Sequence, residues 1–177
     1  MLEAINDAEC PLAGIIHLTG CEEASGVEST AAELEDRLQR SVFATFHLLK
    51  ALAAQGASDD TVRLVVLGKG GYATPYNSAA PSPSKAPLFT FARAAAEEFA
   101  DVQSRSIDVE VEASTENIVS TLLAELRAES ESSEVAYRGW RRLVPKIESF
   151  QATNREVNAP VRIRHEGVDI ITGGTGK

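Results

Sequence analysis

Cysteine is scarce in this sequence: Cys10 and Cys21 are the whole complement. They form no Cys-x-x-Cys pair and stand near no histidine cluster with metal spacing. That removes a zinc site and a disulfide framework, and both read as structural thiols in a reducing compartment. Bases are outnumbered as well, with 17 lysines and arginines against 26 aspartates and glutamates, for a net charge of -9. Duplex nucleic acid or an anionic membrane would repel such a chain as a whole. No run approaches the roughly 20 consecutive apolar residues that a bilayer requires. The opening Met1-Leu2-Glu3-Ala4-Ile5-Asn6-Asp7 carries acids where a signal peptide carries bases. Neither nucleic acid nor a membrane is therefore expected as a partner, and a cytoplasmic location is expected. Internal repeats and low-complexity tracts are missing too.

What remains is ordinary globular composition. Apolar residues are 44% and charged residues 24% of 177, enough to fold and about the size of one compact unit. Charge is unevenly placed: residues 1–137 hold 22 acids and 9 bases, net -13, and residues 138–177 hold 4 acids and 8 bases, net +4. The acidic part and the basic tail are complementary, within the chain or across an interface.

Strands and helices alternate along the chain. Ala13-Gly14-Ile15-Ile16-His17-Leu18-Thr19, between Pro11 and Gly20, reads as a buried parallel strand. Thr30-Ala31-Ala32-Glu33 is a capping box, and Leu34, Leu38, Val42, Phe46, Leu49 and Ala53 follow at helical spacing until Gly56. After Ser58-Asp59-Asp60, Val62-Arg63-Leu64-Val65-Val66-Leu67 reads as a central strand, ending in Gly68-Lys69-Gly70-Gly71. A loop with Pro75, Pro81, Pro83 and Pro87 lies at the carboxyl end of that strand, where long loops are often functional. Pro87 fits a first helical turn, and Leu88, Phe91, Ala92, Ala95 and Phe99 line one face of a helix to about Asp101. Residues 105–111 alternate like a half-exposed strand, and Ser114 caps a helix with Ile118, Leu122 and Leu126 on one side. Residues 134–138 and 140–144 read as extended segments meeting at a tight turn at Gly139. Polar residues 151–160, with Asn154, Asn158 and Pro160, read as a linker, and Val168-Asp169-Ile170-Ile171 as a strand. Right-handed crossovers are expected between parallel strands.

Few residues carry recognisable chemistry. Thr172-Gly173-Gly174-Thr175-Gly176 directly follows a strand, as the opening of a dinucleotide loop does, but no helix follows it in this chain to hold a pyrophosphate. A Walker A reading fails because Ile171 stands where its first glycine belongs. Gly68-Lys69-Gly70-Gly71 lacks the dinucleotide spacing and reads as a strand-to-loop turn. Reductase proton chemistry wants a tyrosine with a lysine four residues on, yet four after Tyr72 stands Tyr76, four after Tyr76 stands Ala80, and Lys85 is too distant. His17 and His47 read as buried or partly buried, hydrogen-bonded histidines, and His165 precedes a turn. The serines of loop 77–84 have no histidine and carboxylate at a nucleophile's spacing. Glu22, Glu23, Glu28, Glu33, Glu35 and Asp36 read as a solvated helix entry and not as a metal site.

Several segments, in order, resemble the ketoreductase domain of modular polyketide synthases, in its N-terminal structural subdomain. Gly14-Ile15-Ile16-His17-Leu18 is similar to that family's Gly-Val-Val-His-Leu strand, and Leu64-Val65-Val66-Leu67-Gly68-Lys69-Gly70 to its strand ending in a basic residue and glycine. Lys85-Ala86-Pro87-Leu88-Phe89-Thr90-Phe91-Ala92-Arg93 resembles its Ala-Pro-Leu-Trp-Gly-Leu-Gly-Arg stretch, and Arg105-Ser106-Ile107-Asp108-Val109 its Arg-x-Ile-Asp-Leu strand. Residues 134–143 resemble its Glu-Val-Ala-x-Arg-x-Gly-x-Arg segment, and Thr172-Gly173-Gly174-Thr175-Gly176 its Thr-Gly-Gly-x-Gly-x-x-Gly loop.

The resemblance implies an α/β fold, a truncated and degenerate Rossmann-like arrangement with a small parallel sheet flanked by helices. It implies a structural subdomain over residues 1–150, incomplete at its N-terminus, a linker at 151–160, and the first strand and partial glycine loop of the catalytic subdomain at 161–177. Met1 stands close to the first strand and Lys177 ends the loop early, so a piece of a larger reductase is expected. The implied role is a non-catalytic brace for the catalytic subdomain, which in the family uses NADPH to reduce β-ketoacyl groups on an acyl carrier protein. Thr172, Gly173, Gly174 and Gly176 would then bind cofactor only in the full-length parent. For this chain alone no catalytic residue, metal, cofactor or enzymatic activity is expected. The implied partners are the catalytic subdomain and, for the parent, the carrier protein. A homodimer through an exposed sheet edge or helix faces is a further possible partner. The alternatives are a self-associating interaction module, or a nucleotide-binding fragment using Gly68, Gly70 and Gly71 or the terminal glycines.

Overall fold

The computed structural model describes residues 12–22, 30–54, 61–77, 80–128, 132–149 and 167–168. Cys10, Gly56, Ser58-Asp59-Asp60, His165, the 151–160 linker, residues 169–171 of the last strand, and Thr172, Gly173, Gly174 and Gly176 lie outside them. The chain divides into two units, Met1–Pro145 and Lys146–Lys177. In the described part of the second, the Lys146 ammonium and the Glu148 carboxylate stand 2.9 Å apart.

The first unit is built on one sheet. Its strands are β1 (Gly14–Gly20), β2 (Val62–Lys69), β3 (Val102–Val109), β4 (Glu134–Arg138) and β5 (Arg141–Leu143), in the order β1-β2-β3-β4-β5. The first four pair in parallel, and β5 returns antiparallel to β4. Gly139-Trp140 is the two-residue turn between the last two, with Arg138 facing Arg141. Gly139 sits at φ 58° with nothing near its missing Cβ, so left-handed backbone, not crowding, calls for glycine there.

Of the helices α1 (Ala31–Leu38), α2 (Ala44–Ala53), α3 (Ala86–Glu98) and α4 (Thr115–Arg127), all but α2 begin at a sequence signal. The Thr30 hydroxyl accepts from the Glu33 amide at 3.2 Å and the Glu33 carboxylate from the Thr30 amide at 2.8 Å. Ser114 caps α4 through the Asn117 amide, and Pro87 occupies the first turn of α3. Between α1 and α2 the path is a π-helix, Gln39–Phe43. The residues of this stretch that are buried, Ser41, Thr45 and Leu49, repeat every four residues, longer than the 3.6 of an α turn, and the wider π turn suits that spacing. Thr45 and Leu49 face inward and are buried. His47, two residues from each, therefore points outward and is exposed, unlike the buried or half-buried position expected for it.

Two apolar layers sandwich the sheet. Leu64 and Val66 pack with Leu49, Leu88, Phe89, Ala92 and Ala95 on the face of α2 and α3. Val65, Leu67, Ile107, Val109 and Val135 pack with Ile118, Leu122 and Leu126 of α4 on the other. Each fully buried large side chain contributes about 1.5–3 kcal/mol by leaving water. The strand order advances steadily from β1 to β4, yet α4 crosses the face opposite to α2 and α3. The last crossover therefore has the opposite hand to the first two, where one right-handed sense was expected throughout. The second face of β2 and β3 is apolar and α2 and α3 already occupy the first, so α4 is the element that covers it. Cover on both faces also makes β3 more buried than its alternation implied, with Ser104, Ser106 and Asp108 all inside. The architecture is α/β, as the alternation of strands and helices implied, and Rossmann-like, as the resemblance implied.

Candidate functional site

In open α/β sheets ligands bind outside the carboxyl ends of the parallel strands. Of these carboxyl ends, the glycine-rich one is the turn leaving β2, Gly70-Gly71-Tyr72, beside the end of β3, and the strand order advances past it without a reversal. The Gly71 amide donates to Asp108 Oδ1 at 2.8 Å and the Tyr72 amide to Asp108 Oδ2 at 3.0 Å. Asp108 is fully buried and bonds at 2.5 Å to the guanidinium of Arg138, which is 5% exposed. Arg138 spends its other donors nearby. It reaches the Tyr72 carbonyl at 3.1 Å, the Asp108 carbonyl at 3.2 Å, the Tyr137 carbonyl at 2.8 Å and Asn77 Oδ1 at 2.8 Å. Asn77 in turn donates to the Tyr72 carbonyl at 2.8 Å and accepts from the Thr74 hydroxyl at 2.6 Å. The start of the proline-rich loop is thus tied to the sheet by a closed polar network.

The space above the turn is filled. Phe89 is fully buried, and its ring lies 4.7 Å from that of Tyr72. A Cβ on Gly71 would stand 2.1 Å from the Phe89 ring, so the turn admits no side chain. We predict that Gly71→Ala lowers stability by about 1–3 kcal/mol through overpacking. Urea titration measures the loss, and adding Phe89→Leu should recover part of it.

These contacts decide what the turn can do. A nucleotide phosphate held here would need the Gly71 and Tyr72 amides, and the chain's own carboxylate already takes both. The described residues do not fit a dinucleotide at Gly68, Gly70 and Gly71.

Proton chemistry is no better provided for. The Tyr72 phenol, the candidate nearest the turn, is pushed well above its usual pKa by burial, then by its 2.9 Å hydrogen bond to Glu134. That favours a neutral phenol, opposite to the activation a reductase tyrosine needs. Lys85 donates to the Glu22 carbonyl at 2.8 Å, and burial draws its ammonium pKa down. His17 is hydrogen-bonded to Thr19 at 2.6 Å and held below its usual pKa by burial, with Glu22 opposing, as a half-buried structural histidine. Burial raises the Cys21 thiol, whose sulfur lies 3.6 Å from the Leu67 carbonyl, so it is no reactive thiolate. Glu22 and Asp36, from the acidic group, are exposed partners of Arg40. Among the described residues no cluster of three or more histidines, cysteines and acids could hold a metal, and no helix is long and apolar enough to cross a membrane.

Sequence reasoning passed over Asp108 and Arg138. A signal was there. Asp108 is a lone acid between Ile107 and Val109 in a strand, a position that demands a partner when the strand is central.

The profile of the beta-ketoacyl synthase-like, N-terminal family matches residues 1–125. The chain belongs to that family. The match spans β1, β2, β3 and nearly all of α4, and it stops before the β4–β5 hairpin. For this beta-ketoacyl synthase-like chain, a comparison with curated proteins gives no match. Among solved structures it is similar to the adenylation, ketoreductase and pseudo-Asub multidomain structure of a keto acid-selecting NRPS module, at TM-score 0.69 and 16% identity. The likeness covers 80% of this chain and 12% of that one, so the chain spans a small part of that protein, and what they share is the fold.

Proposed function

We propose that this chain is a non-catalytic structural part of a polyketide-synthase-type ketoreductase, bracing the catalytic subdomain that reduces β-ketoacyl groups on an acyl carrier protein. The observation that carries this reading is the occupied turn. At this glycine-rich turn after a parallel strand, where free amides could meet a phosphate, the chain holds Asp108, paired with Arg138 and roofed by Phe89. A fold whose ligand cradle is closed by its own side chains keeps the shape of a reductase half without its chemistry. Membership in a synthase-type family, and a fold shared with part of a chain whose description includes a ketoreductase, support the same reading. In the parent, NADPH would be held in the catalytic subdomain, whose opening loop would include Thr172, Gly173, Gly174 and Gly176. Residues 1–150 would be the brace, 151–160 the linker and 161–177 the start of that subdomain.

The test is calorimetric titration of NADPH into the chain, with a β-ketoacyl thioester assayed alongside. We predict no saturable heat and no NADPH oxidation. Saturation at micromolar cofactor, or turnover, would overturn the proposal.

One observation favours a second reading, self-association. Among the described residues β1 is a sheet edge, and Ile16 and Leu18 on it are 47% and 48% exposed. Sedimentation velocity across a hundredfold range of concentration distinguishes it, because an edge-paired dimer would grow with concentration.

A further inference from the structure

The carboxyl end of β1 forms one wall of a small cleft, and the π-helix and the residues just before α3 form the others. Its space is about 30 Å³, lined by Thr19, Arg40, Ser41, Ser84 and Lys85, with the exposed Glu22 beside them. Ser84 and Lys85 are each only 9% exposed. The Lys85 ammonium donates to the Glu22 carbonyl at 2.8 Å and meets no carboxylate among the described residues. Two of its three donors remain.

The acids at hand are taken. Arg40 holds Asp36 Oδ2 at 2.6 Å and Glu22 Oε2 at 3.2 Å. Asp108 attracts the Lys85 ammonium but is bonded to Arg138, while Lys69 and Arg37 repel it. Buried charges are ordinarily paired, because desolvation is costly without a partner. A second observation marks the same place. Arg40 and Ser41 come from the π-helix Gln39–Phe43, and such turns occur often at functional sites. The Ser41 hydroxyl donates to the Arg37 carbonyl at 2.7 Å and the Thr19 hydroxyl is engaged with His17, so both serve the walls. The Ser84 and Ser82 hydroxyls lie 3.0 Å apart, and with Ser82 as donor Ser84 keeps its own proton for the cleft.

We propose that this cleft binds a phosphate group, its oxygens accepting from the Lys85 ammonium and the Ser84 hydroxyl. The space admits the leading oxygens of one anion and no nucleoside. Residues 1–137 are net -13, and Arg138, Arg141 and Arg142 bring the first unit to -10, so no long-range field draws anions in. Binding rests on the local donors alone, with a dissociation constant on the order of 1 mM. The site uses none of the amides of the occupied turn and does not depend on the ketoreductase reading.

The full chain is titrated with inorganic phosphate at constant ionic strength, balanced with chloride, and followed by amide NMR and thermal unfolding. We expect saturable shifts at Gly20, Ser84 and Lys85, with Gly71 and Tyr72 unmoved. At ten times the dissociation constant the midpoint should stand roughly 3–6 °C above its chloride value. Lys85→Met should abolish both effects and melt no lower than wild type in chloride, since it removes a buried charge. Ser84→Ala should weaken binding several-fold. Methyl phosphate separates the sources: equal binding points to a phosphorylated molecule, and its exclusion to the free ion. The proposal is overturned if no shift saturates, or if Gly71 and Tyr72 move instead. It also fails if Lys85→Met shows the same rise as wild type, which would be the general stabilising effect of phosphate as a salt. A Lys85→Met chain that melts lower in chloride would overturn it too, because the chain itself would then supply the partner of the ammonium.

Discussion

Replacing Asp108 with alanine is expected to cost about 3–5 kcal/mol of folding free energy. The carboxylate is fully buried, and removing it leaves the Arg138 guanidinium, itself 5% exposed, as an uncompensated charge. It also orphans the Gly71 and Tyr72 amides, two buried donors that no other described group satisfies. For a unit of this size each kcal/mol lowers the unfolding midpoint by roughly 2–4 °C, so the variant should melt on the order of 10 °C lower. Asp108→Asn, which retains an acceptor but not the charge, should fall between. Pairing Asp108→Leu with Arg138→Met removes both charges and still leaves the two amides without acceptors. That double variant should recover only part of the loss, and full recovery would mean that the turn does not depend on the carboxylate. Guanidinium titrations of the four proteins decide it.

Glu125 is the second expected weak point, on the opposite face of the sheet. Its carboxylate is 2% exposed and is held by the Arg142 guanidinium at 2.6 Å and the Tyr137 hydroxyl at 2.5 Å, with Arg105 at 3.4 Å. Arg105 also donates to the Glu125 carbonyl at 2.6 Å. One side chain therefore ties α4 to β3, to β4 and to the hairpin strand β5. Glu125→Ala should cost about 3–5 kcal/mol, because it removes the buried acceptor that Tyr137, Arg142 and Arg105 share. Burial alone would raise this carboxyl's pKa. The hydrogen bonds from Arg142 and Tyr137, and the two positive charges, outweigh burial and hold it below the usual value of 4.5. A carboxyl lower in the folded than in the unfolded state adds stability above its unfolded pKa, and that contribution is lost as pH falls through the folded value. Wild-type stability should therefore drop below about pH 4.5 with a component that Glu125→Gln lacks. Denaturation midpoints from pH 7 down to pH 3 test this, and equal acid slopes in the two proteins would refute it.

Both weak points join residues far apart in the chain, and this separates what could be read from the sequence from what could not. The starts of α1 and α4 were legible because Thr30 and Ser114 accept from amides three residues on, and that of α3 because Pro87 has a fixed φ and no amide N–H to leave unpaired in a first turn. The hairpin was legible because one glycine sets its turn. The strands β1 and β2 announced themselves as short apolar runs between breakers, but β1, read as buried, lies at the end of the described sheet with Ile16 and Leu18 half exposed, because no described element covers that side. By contrast, the π turn, the outward His47 and the start of β3 at Val102 depend on what the sheet presents to each element. So does the hand of the last crossover.

The site divides in the same way. Gly68-Lys69-Gly70-Gly71 could be read as a turn poorly spaced for phosphate, from local pattern alone. That its amides are occupied could not be read, because the acceptor on Asp108 lies 37 residues from Gly71 and its counter-ion on Arg138 a further 30. The sequence by itself determined the alternation of strands and helices, their caps and the absence of a tyrosine–lysine pair, since each is written in neighbours along the chain. Only the tertiary structure decided that the turn binds an internal carboxylate, that Glu125 fastens one layer, and that the Lys85 ammonium is buried beside the end of β1. Low dielectric and close packing turn such distant pairs into obligatory partners, and neither exists until the sheet has formed.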